Sequence, residues 1–112
     1  MDRQPLSLTA RGTLDAAGQL TLSVNGPPSL TRRELSTVVI QCTPATPRPQ
    51  CAVYRGTIAP HRKMAMTRLG DDDTFISDGD TLESGESLLI QWTGGPAGAV
   101  AVATVNCADV LA

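Results

Sequence analysis

The chain has 112 residues, of which 41% are hydrophobic, 18% charged and only 3% aromatic, and its formal net charge is −2. A chain of this length forms one domain that buries roughly two-thirds of its unfolded surface, and its weak negative charge offers no general attraction for nucleic acid or an anionic membrane. No apolar run approaches the roughly 20 residues of a membrane span, and the first residues lack the apolar stretch of a signal peptide. We therefore expect synthesis in a cytoplasm, with neither nucleic acid nor membrane as a partner.

The first part of the chain predicts an arm followed by two edge strands. Residues 1–5 contain a proline and few apolar side chains, which is typical of a short arm. Leu6 and Leu8 then alternate with polar residues, residues 15–18 form a turn, and alternation resumes over residues 19–24. We expect these two strands to form a hairpin at the edge of a sheet.

The middle of the chain predicts short strands separated by loops. Residues 35–43 form a β-branched strand, preceded by at most one helical turn over residues 30–35. The loop 43–50 contains three prolines, and a strand follows at residues 51–55. Residues 57–69 fit either a loop leading to a strand at 63–69 or a short helix after Pro60.

The last third of the chain predicts a hairpin around the only tryptophan. Residues 88–93 alternate between apolar and polar side chains, residues 93–98 contain three glycines and a proline, and residues 99–105 alternate again. We expect Trp92 to anchor the core, with Val100 among its neighbours, and residues 107–112 to form a tail.

Together these elements predict an all-β fold, a single β-sandwich or jelly roll of about seven or eight short antiparallel strands over residues 1–112. Because the chain has only three aromatic residues, small aliphatic side chains must fill the core. We expect such a thin core to share its stability with neighbouring subunits in a homo-oligomer.

The three cysteines leave two interpretations open. Cys42 and Cys51 flank the proline-rich loop and are placed where a disulfide is geometrically feasible. In a chain assembled in a cytoplasm, three buried reduced thiols are the simpler arrangement.

An acidic segment provides the only candidate metal ligands, Asp71, Asp73, Asp78 and Asp80. Asp71 and Asp73 have the alternate spacing of a calcium loop, but the glycine and terminal glutamate of such a loop are absent. We therefore expect no metal and no other cofactor, and interpret the acidic segment as a solvated loop face.

Charge complementarity between subunits is the more promising use of the charged loops. Arg62 and Lys63 precede the acidic turn of Asp71, Asp72 and Asp73, so these two groups could attract each other across a subunit contact. The single histidine has no catalytic partner at motif spacing, and we expect no enzymatic activity and no catalytic residue.

Three blocks of sequence, read in order, resemble small β-sandwich virion proteins of tailed phages of actinobacteria. They are Leu6-Ser7-Leu8-Thr9-Ala10-Arg11-Gly12-Thr13-Leu14-Asp15 with Gly18, Ala52-Val53-Tyr54-Arg55-Gly56, and residues 82–95 with Gly98-Ala99. The chain departs from the pattern at residues 61–64 and at Cys107.

The resemblance implies a viral structural protein located in the virion, either a capsid decoration protein or a minor tail protein. Its implied partners are other phage structural proteins, the major capsid or tail proteins, reached through Leu6, Leu8, Arg62, Lys63 or the acidic turn. A stand-alone binding module for carbohydrate or a host surface is the alternative.

Overall fold

The structure, a computed structural model, describes residues 4–111 and is almost entirely β. Nine strands lie in this stretch: β1 (Gln4–Thr13), β2 (Leu20–Val24), β3 (Thr31–Thr43), β4 (Gln50–Arg55), β5 (Lys63–Thr67), β6 (Asp72–Ile76), β7 (Thr81–Leu82), β8 (Leu88–Thr93) and β9 (Val100–Leu111). A single turn of 3-10 helix, Pro60–Arg62, precedes β5. No helix among the described residues is long and apolar enough to cross a membrane.

The strands form two antiparallel sheets packed as a sandwich, which confirms the predicted fold class. The first sheet has the order β1-β9-β3-β6, and the short β7 pairs with β3 next to the β6 position. The second sheet has the order β2-β8-β4-β5. When β6 and β7 are counted as one strand position, the sandwich has eight positions. Their order is that of a jelly roll, in which the chain passes repeatedly from one sheet to the other.

Alternation along the strands places the core between the two sheets. On β8, Leu88, Ile90 and Trp92 all point inward and are 0% exposed. On β9, Ala101 and Ala103 point inward and are equally buried, so small side chains of one sheet and large side chains of the other belong to one core cluster. The structure thus confirms Trp92 as a core residue. Val100, however, lies on the opposite face of β9 and is only half-buried, so its predicted place beside Trp92 was wrong.

Both predicted hairpins are wrong, because each pair of strands is divided between the sheets. β8 pairs with β2 and β4, whereas β9 pairs with β1 and β3, and β1 and β2 lie at the edges of different sheets. The glycine-rich loops cross from sheet to sheet at one end of the sandwich. There Gly95 donates a hydrogen bond to the carbonyl of Gly18 at 3.2 Å, and a Cβ on Gly18 would collide with the carbonyl oxygen of Gly95.

The structure also corrects three predictions about the ends of elements. Gln4 and Pro5, assigned to the arm, belong to β1, and residues 1–3 of that arm lie outside the described residues. Residues 107–111, predicted as a tail, continue β9 and pair with both β1 and β3. Residues 30–35, for which at most one helical turn was allowed, instead contain the start of β3 at Thr31.

Two open points of the sequence are resolved by the fold. Residues 57–69 contain both proposed elements, since the 3-10 turn after Ala59 leads directly into β5. The three cysteines are buried and free, and burial raises the pKa of each thiol, most strongly that of Cys51. These thiols act as small apolar core residues.

Candidate functional site

The predicted contact residues Leu6 and Leu8 lie on β1, at the edge of the first sheet. Their side chains point inward and pack, half-buried, against the core. Neither side chain is therefore fully exposed to a partner, and a contact made at this edge would depend chiefly on the backbone of β1.

The hydrogen-bond pattern shows which backbone groups of β1 are open. The amide of Leu14 donates to the carbonyl of Ala99 at 2.8 Å, and the pairing of β1 with β9 continues without a register shift to Gln4. Since antiparallel residues alternate in direction, the even-numbered residues of β1 bond to β9 and the odd-numbered residues face away. Pro5, which has no N–H, is on the open side, where a strand tolerates proline. The amides of Ser7, Thr9, Arg11 and Thr13 face that side too.

A groove runs beside this open edge, because β1 and β2 are the neighbouring edges of the two sheets. Its volume is about 340 Å³. It is lined by Leu8, Thr9, Ala10, Ser23, Val24, Asn25, Gly26 and Arg33. The open backbone and the partly apolar groove together form what we call the β1 edge: residues 5–13 and the groove against β2.

The predicted basic pair lies at the other lateral side of the molecule, and Arg62 is already engaged there. Its Nη1 is 3.5 Å from Glu86 Oε2, and Arg55 Nη2 is 3.0 Å from Glu86 Oε1 and also donates to the carbonyl of Thr81. Burial opposes the charge of Glu86, but the hydrogen bond from Arg55 and the nearby guanidinium of Arg62 lower its pKa overall. Lys63 lies with Nζ 5.8 Å from the centre of the Tyr54 ring.

Members of the acidic turn also have different surroundings. Asp71 pairs with Arg48 at 3.2 Å, and Asp73 accepts a hydrogen bond from the Thr67 hydroxyl at 2.6 Å. That hydrogen bond and one from the amide of Thr74 lower the pKa of Asp73. Asp72 alone is exposed at the start of β6 with no side-chain partner among the described residues.

The basic pair and the acidic turn lie toward opposite ends of the sandwich. Lys63 pairs with Tyr54 near the end of β4, whereas Thr67, which contacts Asp73, pairs with Cys51 near its start. Among the described residues the two groups form no ion pair with each other, and attraction between molecules would compete with the internal ion pairs of Arg62 and Asp71.

The candidate metal ligands are divided in the same way. Asp71 and Asp73 lie where β6 begins, whereas Asp78 and Asp80 follow its end, and a strand of five residues spans roughly 15 Å. No group of three or more potential metal-binding side chains occurs within residues 4–111. The four carboxylates therefore do not form one site.

We predict that removal of divalent metal leaves stability unchanged. Because the four aspartates are distributed over both ends of β6, no single ion can link them in the native state and stabilise it. The midpoint of thermal unfolding should be the same in EDTA and in millimolar calcium. A rise of several degrees with calcium would contradict this prediction.

Sequence reasoning missed a buried ion pair between β3 and β9. Arg33 is 5% exposed, and its Nε and Nη2 donate to the two carboxylate oxygens of Asp109 at 2.8 and 3.1 Å. Its Nη1 donates to the carbonyl of Asn25 at 2.7 Å. The hydrogen bond to Asp109 raises the pKa of Arg33. This arrangement fixes the ends of three strands and stabilises the fold around the groove of the β1 edge.

The chain matches no protein-family model, and no curated protein or solved structure is significantly similar to it.

Proposed function

We propose that this protein is a non-enzymatic structural component of a tailed-phage virion. It attaches in many copies to the particle surface, as a capsid decoration protein or a minor tail protein, after synthesis in the host cytoplasm. Its partners are the major capsid or tail proteins, and the contact is made by strand addition at the β1 edge.

The observation that carries this proposal is the length and chemistry of the open edge. β1 has ten residues, pairs on one side only with β9, and contains Arg11 as its single charged residue. Folded proteins usually protect such edges with charges, bulges or covering segments, because the open amides and carbonyls of an exposed strand pair readily with another chain. Apart from Pro5 and Arg11 the edge has none of these protections, so it is suited to a partner strand, whose main-chain hydrogen bonds would provide affinity.

Two further features support the proposal without deciding it. The strand order is that of a jelly roll, an architecture used by viral capsid proteins and also by lectins and cupins, so it is a likeness of fold only. The three aromatic residues Tyr54, Phe75 and Trp92 are at most 8% exposed. The aromatic platform on which many carbohydrate-binding modules hold sugars is thus not available from these residues, which favours the structural role.

The test replaces one open amide while keeping the rest of the strand. Thr9→Pro removes an N–H that faces away from β9, and Thr9→Ala is the matched control that removes the side chain but keeps this N–H. We expect the proline variant to remain folded and to lose at least tenfold in binding to purified particles that lack the protein. The alanine variant should bind as the natural chain does.

Leu8→Pro is the control for a proline that disrupts the fold. The N–H of Leu8 bonds to β9, so removal of this N–H should lower the melting temperature. Equal binding by the folded Thr9→Pro variant and the natural chain would overturn attachment through this edge. Failure of the natural chain to bind such particles at all would overturn the proposed function itself.

A further inference from the structure

The outward face of the first sheet is an ordered and nearly uncharged surface. Its central row crosses all four main strands of the sheet in register: Thr9 on β1, Thr104 on β9, Val39 on β3 and Thr74 on β6. Threonine and valine are well suited to a pleated surface that packs against another sheet. We call this surface the outer face, meaning the central row and the rows on either side of it.

The row toward the chain ends is held by hydrogen bonds between its own side chains. Ser7 Oγ donates to Asn106 Oδ1 at 3.0 Å, and Asn106 Nδ2 donates to Thr37 Oγ1 at 2.9 Å. Ile76 completes this row and is 73% exposed. Because hydrogen bonds already hold the side chains of Ser7, Asn106 and Thr37, covering them costs little side-chain conformational entropy.

The row on the other side carries the only charges among these twelve positions. It reads Arg11, Val102, Gln41 and Asp72, so the two charges lie on β1 and β6 at opposite edges of one row. Three strand spacings separate them by about 14 Å, which is too far for them to pair with each other. Neither side chain has an ion-pair partner among the described residues.

The positions of Arg11 and Asp72 determine how two copies of the chain can pair their charges. A two-fold axis that runs parallel to the strands, between β9 and β3, exchanges the two edges of the sheet but keeps each row at its own level. Each Arg11 then faces Asp72 of the partner subunit, while the uncharged rows face each other. No other orientation of face-to-face contact brings both unpaired charges to opposite charges at once.

We propose that two copies of this protein associate face to face through the outer face, with reciprocal ion pairs between Arg11 and Asp72 of the partner subunit. The inference goes beyond the proposed function and does not depend on it, since it uses the side chains of the face and not the backbone of the β1 edge. Such an interface is isologous, as two-fold contacts are. The aligned packing of two sheets about 10 Å apart leaves room for both ion pairs.

The size of the outer face determines the affinity that we expect for the dimer. Four strands about 4.8 Å apart and three rows about 7 Å apart cover about 400 Å² in each copy. The total of about 800 Å² is below that of a standard stable complex, so the dimer should be concentration-dependent, with micromolar or weaker affinity. Repeated copies on a particle would strengthen such a contact through effective concentration.

Exchange of the two charges tests the geometry directly by sedimentation velocity over a range of protein concentrations. Arg11→Asp leaves two acidic groups at each contact, and Asp72→Arg leaves two basic groups, so each variant alone should dimerise at least tenfold more weakly than the natural chain. An equimolar mixture of the two variants should dimerise again, because the two-fold axis then places opposite charges together at both contacts. The double variant Arg11→Asp/Asp72→Arg should also recover dimerisation by itself.

Arg68→Asp and Asp78→Arg are the matched controls, since they make the same charge changes at exposed loop positions outside the three rows of the face. They should dimerise as the natural chain does, and all variants should keep its melting temperature. A natural chain that stays monomeric up to millimolar concentration would overturn the inference. Single variants that dimerise normally, a mixture that fails to recover dimerisation, or controls that weaken it equally would overturn it as well.

Discussion

Replacement of Trp92 by alanine should lower the free energy of unfolding by about 3–5 kcal/mol. The side chain is 0% exposed and belongs to the core cluster. Its indole N–H donates to the carbonyl of Gly70 at 2.8 Å, in the turn before β6. The substitution therefore opens a cavity and leaves a buried carbonyl without its donor, and each of these effects is destabilising.

Urea denaturation of two variants separates these effects. Trp92→Phe keeps much of the apolar volume but removes the donor, so its loss should be clearly smaller than that of Trp92→Ala. Since this is the only tryptophan, unfolding of the variants is followed by circular dichroism. A loss below about 1 kcal/mol for the alanine variant would show that Trp92 does not hold the core together.

Loss of the Asp109 carboxylate should be comparably severe. Asp109→Ala leaves Arg33 buried without its counter-charge, and breaking a buried pair by removal of one partner costs about 3–5 kcal/mol. Replacement of both residues, as in Arg33→Met/Asp109→Leu, should recover most of this loss because no charge is then left buried. Measured by urea denaturation together with Arg33→Met and Asp109→Leu as single variants, the double replacement completes a double-mutant cycle.

The control for this cycle is the exposed ion pair between Arg48 and Asp71. Arg48 is 57% exposed, so Arg48→Ala should change stability by no more than about 1 kcal/mol. An Asp109→Ala variant that is no less stable than Arg48→Ala would contradict the importance of the buried pair. If the double replacement lowers the free energy of unfolding as much as Asp109→Ala does, the loss comes from packing and not from an unpaired buried charge.

The strands of the core could be predicted from the sequence, but their assignment to sheets could not. Alternation around Ile40 and Ile90 identifies inward positions, because one face of each of these strands is clearly more apolar than the other. Around Ala103 both faces are apolar, and for this reason Val100 was wrongly placed beside Trp92. The loop 93–98 has the same glycines and proline whether it turns within a sheet or crosses to the other one. Only the partners of both strands decide this, and these are distant in sequence.

Charged residues are the reason why the start of β3 and the end of β9 could not be predicted from the sequence. Arg33 lies in a polar stretch and Asp109 in a short terminal stretch, so each alone indicates a solvated end. They enter the interior because each neutralises the other across paired strands, at positions 76 residues apart in the chain. No local pattern contains that information.

The candidate surfaces were predicted in part. Alternation placed Leu6 and Leu8 at an edge strand, but only the pairing with β9 shows that their side chains face the core. Asp72 was predicted as a contact for its charge, while Arg11 was not singled out. Arg11 and Asp72 lie in one row because of the register of four strands, and no local sequence pattern indicates that register.

We propose that this chain is a repeated component of a virion. The most direct measurement is its copy number in gradient-purified particles of the phage proposed to encode it, determined by quantitative mass spectrometry against the major capsid and tail proteins. We expect many copies per particle, in a fixed ratio to one of those proteins. Particles free of this chain, with the protein recovered only from the soluble fraction of the lysate, would contradict it.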